Sequence, residues 1–249
     1  MRLTLLSLLP IAAAAPGNML QHAVKPVYWL LAGDSTTAPA GGWGDAFLST
    51  TVAKDSSGHN YGHSGATTKS FRAGGDWQNV ISDVGTYKKD YRVYVTIQFG
   101  HNDQKPTSGV TLTDYKTNLG NFASEVTAAG GVPILVTPLT RRSFNSTTKR
   151  VIENLSNETA ITIAVATEKK AHFIDLNKAS TDYVNAIGEN AITPYNLNGT
   201  DRTHLSDWGG VVFARIVSDL LVEKYPSEFE EVTRKNATLS ATIKAGKPA

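Results

Sequence analysis

Short apolar runs alternate along this chain with longer stretches in which apolar residues recur at helical spacing. Val27-Tyr28-Trp29-Leu30-Leu31-Ala32, stopped by Gly33, is nearly continuous and predicts a strand buried on both faces. The run over 93–99, rich in β-branched and aromatic residues and ending at Gly100, predicts another. Further strands are expected near Asn60-Tyr61, over 132–137 before Pro138, and over 172–176. Between them the spacing predicts helices over 43–52, over 69–84 (weakened by Gly74-Gly75), over 153–170 and over 207–225. One more is capped by Thr113 and runs to Ala129, with Leu119, Phe122 and Val126 on one face and Gly130-Gly131 as its stop.

Five strands alternating with helices imply a parallel sheet with helices on both faces, connected by right-handed crossovers. Functional loops of such a sheet gather beyond the carboxyl ends of its strands. Four segments should therefore share one edge: Gly33-Asp34-Ser35-Thr36, 62–65, Gly100-His101-Asn102-Asp103 and 138–142. No internal repeat or linker divides the chain, and the segment from about 226 lacks a core-forming pattern, which predicts a loose surface tail.

The first residues belong to a different category. Arg2, the apolar run that follows it and Ala12 to Ala15 predict a secretory leader over 1–15, cleaved near Ala14 or Ala15, with 16–249 forming one domain. The apolar run is too short to cross a bilayer of roughly 30 Å. Five acceptor sequons for N-glycosylation, at Asn145, Asn154, Asn157, Asn198 and Asn236, agree with export from a eukaryotic cell.

Composition narrows the chemistry. The 249 residues are 41% hydrophobic and 18% charged, and they include no Cys, which excludes a disulfide scaffold and thiol chemistry. The formal net charge of +2 falls to +1 once Arg2 is removed, so no basic field suits a nucleic acid. A nucleophile must then be a hydroxyl activated by a base. Ser35 follows a buried strand at the point where the chain must turn outward; alternatively it, Asp34 or Thr36 only caps the next helix.

Among the six histidines (His22, His59, His63, His101, His172 and His204), His204 stands out. Asp201 precedes it by three residues, close enough on a tight turn to accept its Nδ1 proton and leave Nε2 to take the Ser35 proton. A surface hydrogen bond is the simpler reading of that pair. Asn102 can donate its carboxamide to an oxyanion or merely close its own turn, and Gly65 can bring a backbone N–H to the same point. His63 and His101 belong to no ligand set with metal spacing, so no metal or cofactor is expected.

Gly33-Asp34-Ser35, the Gly65 loop, Gly100-His101-Asn102-Asp103 and Asp201-x-x-His204 occur in the order and approximate spacing of the SGNH (GDSL) hydrolase superfamily, which the chain resembles from about 27 to 225. Within it, Gly42-Trp43-Gly44, Asn60-x-x-x-x-Gly65-x-x-x-x-Ser70, Phe99 to Asp103 and Asp201-x-Thr203-His204 most resemble fungal rhamnogalacturonan acetylesterases. The resemblance implies a three-layer, flavodoxin-like fold with strand order 2-1-3-4-5. It implies Ser35 as nucleophile, His204 as general base and then acid, Asp201 as its orienting carboxylate, and an oxyanion hole from Ser35 N–H, Gly65 N–H and the Asn102 side chain.

The implied function is removal of acetyl groups from an acetylated plant polysaccharide by a secreted monomer that binds neither membrane nor nucleic acid. Arg72, Arg141 and Arg142 are candidate contacts to an acidic sugar, with Lys69, Lys149 and Arg150 on neighbouring segments. An SGNH lipase or general esterase, an acetylxylan esterase, and a carbohydrate-binding protein without activity are the competing readings.

Overall fold

A computed structural model of the chain describes residues 25–249; the leader expected over 1–15, and His22, lie outside the described residues. Five strands, β1 (Val27–Gly33), β2 (Ser57–Asn60), β3 (Arg92–Gln98), β4 (Val132–Val136) and β5 (His172–Ile174), form one parallel sheet in the order β2-β1-β3-β4-β5, as the resemblance implied. Strand order reverses between β1 and β3, which opens a crevice at their carboxyl ends. Ser35 follows β1 into that crevice.

The helices are α1 (Gly44–Thr50), α2 (Thr68–Ala73), α3 (Asp76–Tyr87), α4 (Leu112–Ala129), α5 (Ser156–Lys169), α6 (Leu176–Ile192), α7 (Asp207–Lys224), α8 (Pro226–Phe229) and α9 (Ala237–Lys244). Side chains of a strand alternate between faces, so Trp29 and Leu31 of β1 point into one layer while Tyr28, Leu30 and Ala32 point into the other. The first layer is covered by Phe47 of α1, Val184 of α6, Phe213 and Val217 of α7 and Phe229 of α8. The second is covered by Phe71, Trp77, Phe122 and Val165 from α2 to α5.

Several elements differ from expectation. The predicted helix over 69–84 is two helices broken at Gly74-Gly75. The cap of α4 is Thr111 rather than Thr113: its Oγ1 accepts from Asp114 N at 3.1 Å while Asp114 Oδ2 accepts from Thr111 N at 3.0 Å, a reciprocal capping box. The apolar run over 172–176 spans a strand end and a helix start, because Asp175 caps α6 by accepting from Lys178 N at 3.1 Å.

The segment from 226 is not a loose tail. Phe229 is fully buried, with its ring centroid 4.9 Å from that of Tyr94, and Glu228 accepts from Tyr94 Oη at 2.9 Å and pairs with His172 at 2.8 Å. Its buried anchors are Phe229 and Val232, and Leu239 and Ile243 of α9 pack against the same face of the core. Among the described residues no helix is long and apolar enough to cross a membrane.

Candidate active site

Beyond β1 the chain turns sharply. The Asp34 carbonyl accepts from Thr37 N and Ala38 N, each at 3.0 Å, while Asp34 Oδ1 accepts from Thr36 N at 2.9 Å and Thr36 Oγ1 at 2.8 Å. Gln98, at the end of β3, donates to Thr36 Oγ1 at 2.7 Å and accepts from Thr37 Oγ1 and the Trp43 indole. The turn is thus bonded on both sides of Ser35. Ser35 caps no helix, since α1 begins only at Gly44, after Trp43.

His204 and Asp201 meet this turn from the loop before α7. His204 Nε2 lies 2.8 Å from Ser35 Oγ, and His204 Nδ1 lies 2.7 Å from Asp201 Oδ2. Asp201 Oδ1 also accepts from Thr203 N and His204 N, both at 2.8 Å. Burial alone would raise the Asp201 pKa, but these donors outweigh it and hold the carboxyl below its usual value. An ionised Asp201 accepts from Nδ1–H, so Nε2 is the acceptor for the Ser35 hydroxyl. A serine so paired can be deprotonated as it attacks a carbonyl.

Arg142 holds that loop from beneath. It is fully buried and donates to the His204 carbonyl at 2.7 Å, the Asn196 side-chain oxygen at 2.5 Å and the Thr140 carbonyl at 3.4 Å. Burial pushes its guanidinium down to about 9. Arg142 therefore touches no polymer, contrary to expectation. Arg72, exposed on α2, forks onto Glu125 of α4 at 2.8 and 3.1 Å and lies 4.9 Å over the Phe122 ring.

Arg141 does border the site. Half-buried, it donates to Thr203 Oγ1 at 3.3 Å and the His101 carbonyl at 3.2 Å, bridging the His204 loop to the loop after β3. Lys69, Lys149 and Arg150 are exposed.

Gly65 stands at φ +81°, a left-handed conformation that disfavours a side chain. Its loop is anchored at both ends: His63 N donates to the Gly33 carbonyl at 3.0 Å, and Asn102 Nδ2 donates to the Ala66 carbonyl at 3.0 Å. Gly62 packs so tightly that a Cβ would lie 2.4 Å from Ala38 N. Asn102 is buried, and its Oδ1 accepts from Lys105 Nζ at 2.6 Å. Within the described residues, neither the Ser35 nor the Gly65 amide donates to another protein group, so both can serve a ligand.

Under this surface lies a buried polar layer. His101 Nδ1 is 3.5 Å from Asp34 Oδ2, and both side chains are almost wholly buried. Burial would raise the Asp34 pKa, but the attraction of the His101 imidazole beside it, with the Thr36 bonds, brings it below normal. Asp103 goes the other way: burial raises it to about 6 despite the Thr68 N and Oγ1 bonds at 2.8 and 2.6 Å. His63 pairs instead with Asp76 at 2.8 Å, and no group of three or more metal-binding side chains occurs among the described residues.

A cleft of about 650 Å³ adjoins the loop after β3, lined by Gln104, Lys105, Leu112, Asn154 and Glu158 among others. A second concavity of about 780 Å³ lies between α6, α7 and α9, and neither cavity is lined by Ser35, Gly65, Asn102, Asp201 or His204. All five sequon asparagines are exposed. Sequence reasoning missed Gln98, Lys105 and the buried role of Arg142. Gln98 had a signal, a lone amide closing an apolar strand; the other two had none.

Comparison with known proteins follows the same lines. The profile of the GDSL-like lipase/acylhydrolase family matches residues 31–210. Rhamnogalacturonan acetylesterase RhgT of Bacillus subtilis is 29% identical over 218 residues, covering 80% of this chain and 91% of RhgT. The solved structure of YxiM from Bacillus subtilis superimposes with a TM-score of 0.68 at 25% identity over 81% of this chain, which spans only 57% of that one. The acetylxylan esterase Axe2 of Geobacillus stearothermophilus matches with a TM-score of 0.59 at 19% identity, covering 81% of this chain and 94% of Axe2, a likeness of fold. These relatives are bacterial; none of them is fungal.

Proposed function

The chain belongs to the GDSL-like lipase/acylhydrolase family and is a carboxylic ester hydrolase, and on that footing we propose that it removes acetyl groups from a plant cell-wall polysaccharide, with acetylated rhamnogalacturonan as the foremost substrate. The observation that carries the chemistry is the relay from Ser35 Oγ through His204 to Asp201, at 2.8 and 2.7 Å, at the mouth of β1.

In the proposed mechanism Ser35 Oγ attacks the acetyl carbonyl while His204 Nε2 takes its proton. The tetrahedral oxyanion is held by Ser35 N–H, Gly65 N–H and the Asn102 carboxamide. Collapse breaks the C–O bond to the sugar, and the imidazolium returns its proton to the leaving alkoxide. Water, deprotonated by His204, then attacks the acetyl-enzyme, and acetate leaves as Ser35 recovers its proton. Asp201 stays ionised throughout, holding the tautomer and stabilising the imidazolium. Neither metal nor cofactor takes part.

The substrate reading is supported by the similarity to RhgT along most of that protein's length. Arg141, half-buried between the His204 loop and the loop after β3, is the candidate arginine for an acidic sugar. Acetylated xylan is the second polymer reading, and a lipase or general esterase the third. The leader expected over 1–15 and the five exposed sequons support an extracellular, glycosylated enzyme from a fungal or other eukaryotic source, and a one-domain monomer completes the reading.

Acetate release from acetylated rhamnogalacturonan and acetylated xylan, set beside p-nitrophenyl esters of increasing chain length, tests this. The reading expects preference for the pectic polymer and a fall in rate beyond acetyl. Preference for xylan, or for long acyl chains, refutes it in favour of the corresponding alternative.

A further inference from the structure

Asn102 can form an oxyanion donor only if its amide faces the right way, and the two ends of a carboxamide are nearly equal in shape. One N–H goes to the Ala66 carbonyl at 3.0 Å. The oxygen receives Lys105 Nζ at 2.6 Å. A lysine ammonium carries three donors and no acceptor, so it tolerates only the oxygen of the amide. The reversed amide would set NH₂ against the ammonium and the oxygen against the Ala66 carbonyl, losing both bonds. The second N–H is thereby left for a ligand.

Local backbone bonds bring the lysine to this point. Gln104 N donates to the Gly100 carbonyl and Lys105 N to the Asn102 carbonyl, both at 3.1 Å, curling the chain so that Lys105 returns over Asn102. Pro106 then starts a short 3-10 helix, Pro106–Ser108, and Ser108 Oγ donates to the Asp103 carbonyl at 2.7 Å. A charge-assisted bond on the carbonyl oxygen also draws electron density from the amide nitrogen and strengthens the remaining N–H as a donor.

We propose that Lys105 is a positioning residue for catalysis, which fixes the orientation of the Asn102 carboxamide and polarises it toward the oxyanion. The inference rests on the esterase mechanism above and adds a residue outside the motifs that carry the family resemblance. Removing a whole oxyanion donor lowers turnover by roughly 10² to 10³. Removing the group that orients and polarises one should cost on the order of tenfold.

The test compares Lys105→Met, Lys105→Arg, Asn102→Ala and the double variant on p-nitrophenyl acetate, a small neutral ester, and on acetylated pectin, with melting temperatures measured alongside. Lys105→Met should lower kcat about tenfold with KM unchanged, Lys105→Arg should recover most of the loss, and Lys105→Met should add nothing once Asn102 is Ala. Full kcat in Lys105→Met overturns the proposal, as does a loss that multiplies with that of Asn102→Ala. A rise in KM confined to an acidic polymer also overturns it, making Lys105 a substrate contact of the adjoining cleft. Ser35→Ala measured beside them separates this outcome from failure of the mechanism itself, since activity surviving without Ser35 would remove the oxyanion hole that Lys105 serves.

Discussion

Replacing Arg142 by Met tests whether a buried guanidinium serves the geometry of His204 rather than a substrate. Three carbonyl-type acceptors lose a partner: His204 O, Asn196 Oδ1 and Thr140 O. The first keeps Leu197 N at 2.9 Å, so two are orphaned, at about 1–3 kcal/mol each. Against this, the burial that pushes the Arg142 guanidinium down to about 9 corresponds to a desolvation cost on the order of 4–5 kcal/mol, which an apolar side chain of similar volume escapes. The terms cancel to within about 3 kcal/mol, so the melting temperature should move by no more than about 12 °C. Turnover should respond far more, because His204 loses its anchor and a displacement of about 1 Å in a reacting group can cost on the order of 10²-fold. Steady-state kinetics on p-nitrophenyl acetate and on acetylated pectin, with circular dichroism melts, read both effects. Equal losses of kcat on the two substrates are expected. Unchanged kcat on the neutral ester with a raised KM on the acidic polymer would refute the reasoning and return Arg142 to the substrate.

Asp201→Asn should keep the fold, because an amide oxygen still accepts from Thr203 N and His204 N, yet kcat should fall by roughly 10⁴ since the amide N–H favours the wrong imidazole tautomer; a fall below tenfold in esterase assays contradicts this. Asp103 binds its proton more tightly in the folded chain, about 6 against 3.8, so the native state holds more protons than the unfolded state between these values and wild-type stability drops as pH rises through them. Asp103→Asn should accordingly gain on wild type by up to about 3 kcal/mol between pH 4 and pH 8 in urea titrations, and a pH-independent difference would show the carboxyl to be ordinary.

Much of the fold was legible because its central strands are buried on both faces. Val27 to Gly33 and Val132 to Val136 had to be apolar throughout, and glycine or proline marks their ends. Those ends also placed the candidate site, since a parallel sheet leaves only one edge where Ser35, Gly65 and Asn102 can meet. What stayed hidden depends on partners distant in sequence. Arg72 and Arg142 look alike as charges, and only the fold shows one gripping Glu125 and the other buried under His204. The helix α6 was obscured because β5 ends one residue before it begins, so strand and helix read as a single apolar run. Phe229 gave no periodic signal because α8, at four residues, is too short to repeat an apolar position.

The central claim is that Ser35, activated by His204, forms the acyl-enzyme. Turnover of p-nitrophenyl acetate by Ser35→Ala, in a sample whose circular dichroism and melting temperature match wild type, tests it most directly. A loss on the order of 10⁶-fold in kcat is predicted from removal of a paired nucleophile. Near-full activity in that folded variant would contradict the account.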